Sequence, residues 1–425
     1  MEVTVENADH LEGVVSASPS KAYTHRMLIA TSLSNGDSKI FNPLVSNDTQ
    51  ASLEAVKAFG VETELHENYW TVHGQETLKA STNPIDCKES GSTLRFMIPV
   101  AALAPGASTL LFGASFERRP VTPLLESLRE LGVKSEVQEN GSSVIVHGGG
   151  IQGGKTSIRG DVSSQFISGL LFACPMAKED TEIRISPPLE SKGYVDMTLE
   201  VLVKHGLEGA VNDDLSCLWI PGNQSYVPCD HTVPGDFSSA AFLLAAAAVT
   251  SSHVTVKNLD YGTCQGDRAI VDILGEMGAT VKIDDDSVEV DVGKLVGVDI
   301  DAKDIPDLVP ICAVLGCYAE GYSQIYNAKR LRYKESDRLD SISTELKKMG
   351  AEITVNEDGL NINGVSRLHG ATVDPHNDHR IAMTCAVAAL GAEGKTKIQS
   401  VECINKSYPQ FFSDLRLLGA NVVGS

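Results

Sequence analysis

No stretch of this chain is apolar for long enough to cross a bilayer. Its longest apolar runs, Ala240–Val249 and Leu308–Leu315, reach about half of the ~20 residues a spanning helix needs. They read as buried core helices, and no membrane partner is expected. Met1–Glu12 lacks the apolar h-region of a secretory signal and carries acidic residues instead, so a cytoplasmic location is expected. No C-x-x-C pair occurs among the nine cysteines (Cys87, Cys174, Cys217, Cys229, Cys264, Cys312, Cys317, Cys385, Cys403). Their odd number and scatter through apolar segments argue against disulfides and metal ligation, and for reduced, mostly buried small hydrophobes. Positive charge is also scarce: 35 Lys and Arg stand against 56 Asp and Glu, a net charge of −21. Nucleic-acid backbones are held by broad Lys/Arg surfaces, so no nucleic-acid partner is expected and any basic patch must be local.

What is present is a globular composition, 42% hydrophobic and 21% charged over 425 residues, enough for two or three domains at roughly 150 residues each. One pattern recurs: an amphipathic helix, a glycine, then a short β-branched strand. It appears at Leu53–Leu65, Leu124–Val137, Thr198–Val211, Ile270–Ile283, Ser343–Val355 and Phe411–Val423. The glycines (Gly60, Gly132, Gly206, Gly278, Gly350, Gly419) fall about 70 residues apart. Each stands where a helix end needs φ > 0. A second series, apolar nearly all round, begins near Ser20, Gly91, Ser163, Ser238, Asp307 and Asp378. These helices should be buried, and each opens on a residue type that caps helix N-termini.

The predicted unit is therefore strand, buried helix, strand, amphipathic helix and one or two strands, a βαβαββ-type α/β unit repeated six times. Three copies per domain is the natural division: 19–232 as one domain, 1–18 with 233–425 as the other. The Pro- and Asn-rich stretch Pro221–Pro234 and residues 13–19 are the expected hinges. The strand at Glu2–Val5, preceding the first copy, is expected to pair with the far domain.

Residues at the starts of the buried helices are polar and largely basic. They include Lys21 and Arg26; Ser90, Gly91 and Arg95, followed by Glu117-Arg118-Arg119-Pro120; Ser163, Ser164 and Gln165 with Ser191; Asp236 with Ser238; Asp307, then Lys334-Glu335-Ser336-Asp337-Arg338; and Asp378, His379 and Arg380 with Lys406. Backbone N–H groups and the positive end of the helix dipole favour anions there, and adjacent Arg or Lys add charge-assisted bonds. Any single element has a plainer reading. A lone Arg is often solvated, paired serines often only cap, and Lys334–Arg338 could be a surface ion-pair run worth little. Recurrence at equivalent positions of a strongly acidic chain favours a cationic site for small, multiply anionic substrates, in a cleft between the two domains.

Several strings, in order, resemble the site motifs of the 5-enolpyruvylshikimate-3-phosphate synthase family over essentially the whole chain. They are Pro19-Ser20-Lys21 with Arg26, Glu117-Arg118-Arg119-Pro120, Val162–Phe166, Gly235–Ala240, Ile305-Pro306-Asp307, Lys334–Arg338, Asn377–Met383 and Lys406 before Tyr408-Pro409. The resemblance implies an inside-out, barrel-like α/β fold of two domains, a monomer, and transfer of the enolpyruvyl group of phosphoenolpyruvate to the 5-hydroxyl of 3-phosphoshikimate, with no cofactor, metal or covalent enzyme intermediate. It would assign Lys21, Arg26, Ser163, Ser164, Gln165, Ser191, Asp307 and Lys334 to 3-phosphoshikimate. It would assign Lys21, Gly91, Arg119, Gln165, Arg338, Arg380 and Lys406 to phosphoenolpyruvate. Asp307 would be general base, Glu335 or Lys21 general acid, and His379 a proton relay. Three positions depart from the pattern: Ala22 replaces a serine at the phosphate contact, Glu89 stands where Asn is common, and Arg330 falls near another substrate-facing Asn.

A sister transferase acting on a UDP-amino sugar carries a reactive cysteine in a loop of its first half; here Ala114–Pro120 has none. A non-catalytic anion binder would gain nothing from carboxylates such as Asp307 and Glu335 among its cations.

Overall fold

The two helix series alternate strictly along the chain, because burial on all sides and burial on one face call for different compositions. The computed structural model describes residues 1–138, 141–212, 214–291, 293–365 and 367–424, with Glu117 and Arg118 described in backbone only. Its helices are α1 (Lys21–Ser32), α2 (Asn47–Ala58), α3 (Gly91–Ala101), α4 (Thr122–Glu130), α5 (Ser164–Ala173), α6 (Lys192–Lys204), α7 (Phe237–Val249), α8 (Ile270–Glu276), α9 (Val309–Tyr318), α10 (Arg338–Lys348), α11 (His379–Leu390) and α12 (Phe411–Leu417). The odd-numbered helices are the apolar ones. Every residue of α11 is buried, as is α7 from Phe237 to Ala248. The even-numbered ones bury a stripe, as α4 does with Leu124, Leu125 and Leu128.

Helix ends follow their residues. Ser20, Ser90, Ser163, Asp236 and Asp378 each accept backbone N–H groups as N-caps of α1, α3, α5, α7 and α11. The fifth copy departs from the expected pattern: α9 starts after Leu308 with no side-chain cap. Asp307 is thus no cap, since cationic side chains outcompete backbone N–H groups for its carboxylate. The six glycines ending the even-numbered helices all lie at φ between +75° and +97°, where any other L-residue is strained.

Among the described residues, six four-stranded sheets share one order. In the second copy, Ile85–Asp86 runs parallel to Ala107–Leu111, which pairs antiparallel with Ser143–His147, itself antiparallel to Lys134–Val137. Three sheets are completed from distant sequence. Val3–Glu6 inserts between Lys395–Ile398 and Val422–Val423, Glu12–Ser16 runs parallel to His253–Lys257, and His231–Thr232 runs parallel to Ile40 and Phe41. The chain accordingly divides into two compact units, Pro19–Val233 and Met1–Ser18 with Pro234–Ser425. Within the second unit α7, α9 and α11 pack on one another, sheathed by their sheets.

The Pro221–Pro234 stretch, read above as a hinge, is tied into its unit as far as Val233. Tyr226 donates to Phe172 O at 2.6 Å, the Val227 carbonyl meets His205 Nδ1 at 2.7 Å, and His231–Thr232 is a strand. Proline and asparagine there mark irregular backbone rather than loose packing. Cys87, Cys174, Cys312, Cys317, Cys385 and Cys403 are buried thiols.

A second glycine in four of the repeats escapes a composition-based reading. Gly74, Gly148, Gly222 and Gly364 close the strand hairpins against the ends of the buried helices, where a Cβ would collide with backbone carbonyls of Thr31, Ala104, Glu179 and Ala319. Backbone cannot yield as a flexible side chain can. Gly364→Ala is expected to lower unfolding free energy by at least ~1–3 kcal/mol, measurable as a reduced urea midpoint at unchanged slope.

Candidate functional site

In the Pro19–Val233 unit, the N-termini of α1, α3 and α5 are wired together by side chains. Lys21, the first residue of α1, pairs with Asp48 at 3.0 Å, and the Asp48 carbonyl accepts from Thr93 Oγ1 of α3 at 3.3 Å. Arg95 on α3 reaches Ser163 Oγ at 3.3 Å and Gln165 Oε1 at 2.8 Å, while Gln165 Nε2 returns to Ser92 Oγ at 2.9 Å. Ser164 is buried in the first turn of α5, and Ser191, at φ +58°, precedes α6.

Arg119 lies against the first residue of α3, so that a Cβ on Gly91 would collide with its guanidinium. The absent side chain thus admits Arg119, whose guanidinium also stacks 4.6 Å from the Phe116 ring. A guanidinium meeting the positive end of a helix makes a strong local field for an anion.

Arg26 has a different placement. It is buried and directed inward, donating to Thr198 Oγ1 at 2.9 Å, Ala22 O at 2.8 Å and Tyr194 O at 2.8 Å. Burial lowers its guanidinium to about 10. It ties α1 to α6, and Ala22 enters through its carbonyl.

In the other unit the cations gather on Asp307. Its carboxylate meets Arg338 Nη1 at 2.7 Å, Arg380 Nη2 at 3.2 Å and Lys334 Nζ at 3.7 Å. Arg338 is 1% exposed and also holds Asp378, through Nε at 2.8 Å, and Glu335, through Nη2 at 2.9 Å. Burial alone would lower its proton affinity, but Asp378, Glu335 and Asp307 outweigh burial and hold it above the ordinary value. Burial pushes Lys334 down to about 8; Asp307 opposes this, while Arg338 and Arg330 reinforce it.

Arg380 joins three helix starts: it is in the first turn of α11, donates to Ser238 O of α7 at 3.4 Å, and reaches Asp307 O ahead of α9 at 3.3 Å. Lys406 donates to Asn377 O at 2.9 Å. That carbonyl is presented by two successive left-handed residues, His376 at +53° and Asn377 at +55°. His379 is buried beside Asp378, its Nδ1 3.8 Å from Oδ1, beyond hydrogen-bond reach.

Two positioning residues were absent from the predicted site. Asp378 caps α11 by accepting from Arg380 N at 3.0 Å while anchoring Arg338. Arg95 sets Ser163 and Gln165 together. Asp378 belonged to a recognised motif and Arg95 to the polar residues at a helix start, but only the fold reveals that they face other functional groups rather than solvent. Of the departing positions, Arg330 donates to Lys303 O, and Glu89 packs its carboxylate where a Gly113 Cβ would stand.

Each unit is thus a threefold α/β repeat whose converging helix starts carry a cationic set suited to small anions. The chain belongs to the EPSP synthase (3-phosphoshikimate 1-carboxyvinyltransferase) family, whose family model matches residues 5–415. It is 44% identical to the 3-phosphoshikimate 1-carboxyvinyltransferase of Methanocaldococcus jannaschii over 424 residues, 98% of each chain. It is 46% identical to that of Methanocella arvoryzae over 417 residues, 96% of this chain and 97% of the relative. A solved structure of EPSP synthase from Acinetobacter baumannii superposes with a TM-score of 0.83 at 25% identity, covering 100% of both chains.

Removing Asp378 strands part of a fully buried guanidinium. Asp378→Ala is expected to lower stability by about 3 kcal/mol, read by chemical denaturation.

Proposed function

We propose that the two cationic sets serve one reaction, transfer of the enolpyruvyl group of phosphoenolpyruvate to the 5-hydroxyl of 3-phosphoshikimate with release of phosphate. The observation that carries this is the carboxylate Asp307, held among Arg338, Arg380 and Lys334 in a member of this family. A site that only bound anions would be weakened by such a carboxylate. A site that must also take a proton needs one.

In this reaction Lys21, Gly91, Arg119, Gln165, Arg338, Arg380 and Lys406 hold phosphoenolpyruvate. The remaining set, Ser163, Ser164, Ser191 and Lys334, shares 3-phosphoshikimate with Lys21, Gln165 and Asp307, while Arg26 supports it by tying α1 to α6. A guanidinium offers a planar carboxylate two parallel donors, whereas Lys supplies compact charge to phosphate. A substrate carboxylate that engages Arg380 removes a cation from Asp307 and makes it a better base. Asp307 then takes the 5-hydroxyl proton as the oxygen attacks C2 of phosphoenolpyruvate, and Glu335 or Lys21 delivers a proton to C3. The resulting tetrahedral adduct expels phosphate as the new methyl group returns a proton, restoring the double bond. Lys21, Arg119 and Lys406 stabilise the departing charge, with His379 as the relay.

Phosphate release should require both phosphoenolpyruvate and 3-phosphoshikimate, each omitted in turn. Release that depends on a UDP-amino sugar instead would assign the sister activity. Asp307→Ala should cut turnover at least ~10²-fold with binding largely kept; near-normal turnover would remove it from the role of base. Lys334 loses its proton above about 8, so KM for 3-phosphoshikimate should rise beyond that pH, and Lys334→Arg should flatten the rise.

A further inference from the structure

A second buried carboxylate, electrostatically coupled to Asp307, is one that the reaction above does not use. Asp267 sits in the short 3-10 segment Gly266–Ala269 and is 3% exposed. Its Oδ2 accepts a hydrogen bond from Ser238 Oγ at the start of α7. Its Oδ1 is buried without a hydrogen-bond partner among the described residues. The segment is fixed from both sides. Gln265 Nε2 donates to Gly235 O at 2.8 Å and Oε1 accepts from Phe237 N at 3.1 Å, while a Cβ on Gly266 would come within 2.9 Å of Asp304 O. Asp267 is therefore clamped between the α7 start and the turn leading to Asp307.

The charged groups around it are unbalanced. Asp307 ahead of α9 and Asp236 capping α7 repel its charge, and Arg380 on α11 attracts it. Cys312 of α9 is a neighbouring thiol, pushed up to about 12 by burial and by Asp267. Arg268 turns away, donating to Tyr261 O at 2.7 Å. Burial first, then Asp307, raise Asp267 to about 7 against the pull of Arg380. Ser238 couples the two groups directly: its hydroxyl binds Asp267, and its carbonyl accepts from Arg380 at 3.4 Å.

We infer that Asp267 is a positioning residue that gates Arg380: neutral, it leaves the guanidinium available to a substrate carboxylate, and ionised, it competes for that guanidinium. Its kinetic readout rests on the reaction proposed above.

The test is KM for phosphoenolpyruvate from pH 6 to 8.5 in the wild type and in Asp267→Asn, which keeps an acceptor for Ser238 but cannot ionise. Wild-type KM should climb about fivefold or more relative to the variant as pH passes through about 7. The substrate's own phosphate ionisation, near pH ~6, is common to both and cancels. Equal profiles in two active, folded proteins would overturn the proposal. If Asp267→Asn does not fold, Ser238→Ala serves: losing the hydroxyl donor should move the inflection to higher pH, and an unmoved inflection overturns the proposal.

Thermal unfolding gives a readout free of catalysis. The folded-state value lies above the unfolded ~4, so wild-type stability declines as pH rises across that window. The stability of Asp267→Asn relative to wild type should therefore grow between pH 5 and pH 8, and a pH-independent gap would refute proton retention at Asp267. Wild-type protein that releases no phosphate with both substrates would defeat the reaction instead, leaving the thermal result to decide Asp267.

Discussion

Burial of three apolar helices in each unit is the constraint from which the rest follows. A helix that is apolar on all sides must be sheathed everywhere except at its ends, as the sheets do around α7, α9 and α11. Its C-terminal carbonyls are met by tight turns that need glycines such as Gly148 and Gly364. What stays available is the opposite end, where backbone N–H groups and the positive dipole converge from three helices. A site for anions is thus a by-product of how the core is closed.

That convergence concentrates positive potential, and the protein counters it with carboxylates. Asp48 answers Lys21, and Asp307, Glu335 and Asp378 answer Arg338. These pairings hold the cations in place and satisfy donors that burial would otherwise strand. They also make the site responsive, since an incoming substrate anion can take over a cation and leave a carboxylate more basic. The same contacts give electrostatic support and hold carboxylates among cations, which fits a chain whose net charge is −21.

The strand exchange between distant segments has a matching logic. Val3–Glu6 and Glu12–Ser16 supply strands to sheets whose helices lie after Pro234, and His231–Thr232 supplies one to the first copy. Each unit is therefore closed by strands from outside its own run of repeats. Neither can be cut from the chain at a single point without opening a sheet edge.

Much of this was legible in the residues. Helical periodicity, the spaced glycines and the capping residues determined the six-repeat α/β plan, because burial pattern and backbone conformation act over a few neighbouring positions. The motifs around Lys21, Gln165, Asp307, Arg338 and Arg380 nominated candidate site residues for the same reason: each is local. Sequence could not decide which way a side chain faces once helices from different repeats meet. Arg26 turned inward to tie α1 to α6, Asp307 gave up capping for ion pairing, Pro221–Val233 proved to be packed, and Asp267 came to bond Ser238 at the start of α7. Those outcomes depend on long-range competition for a few buried donors and acceptors, which only the tertiary structure brings together.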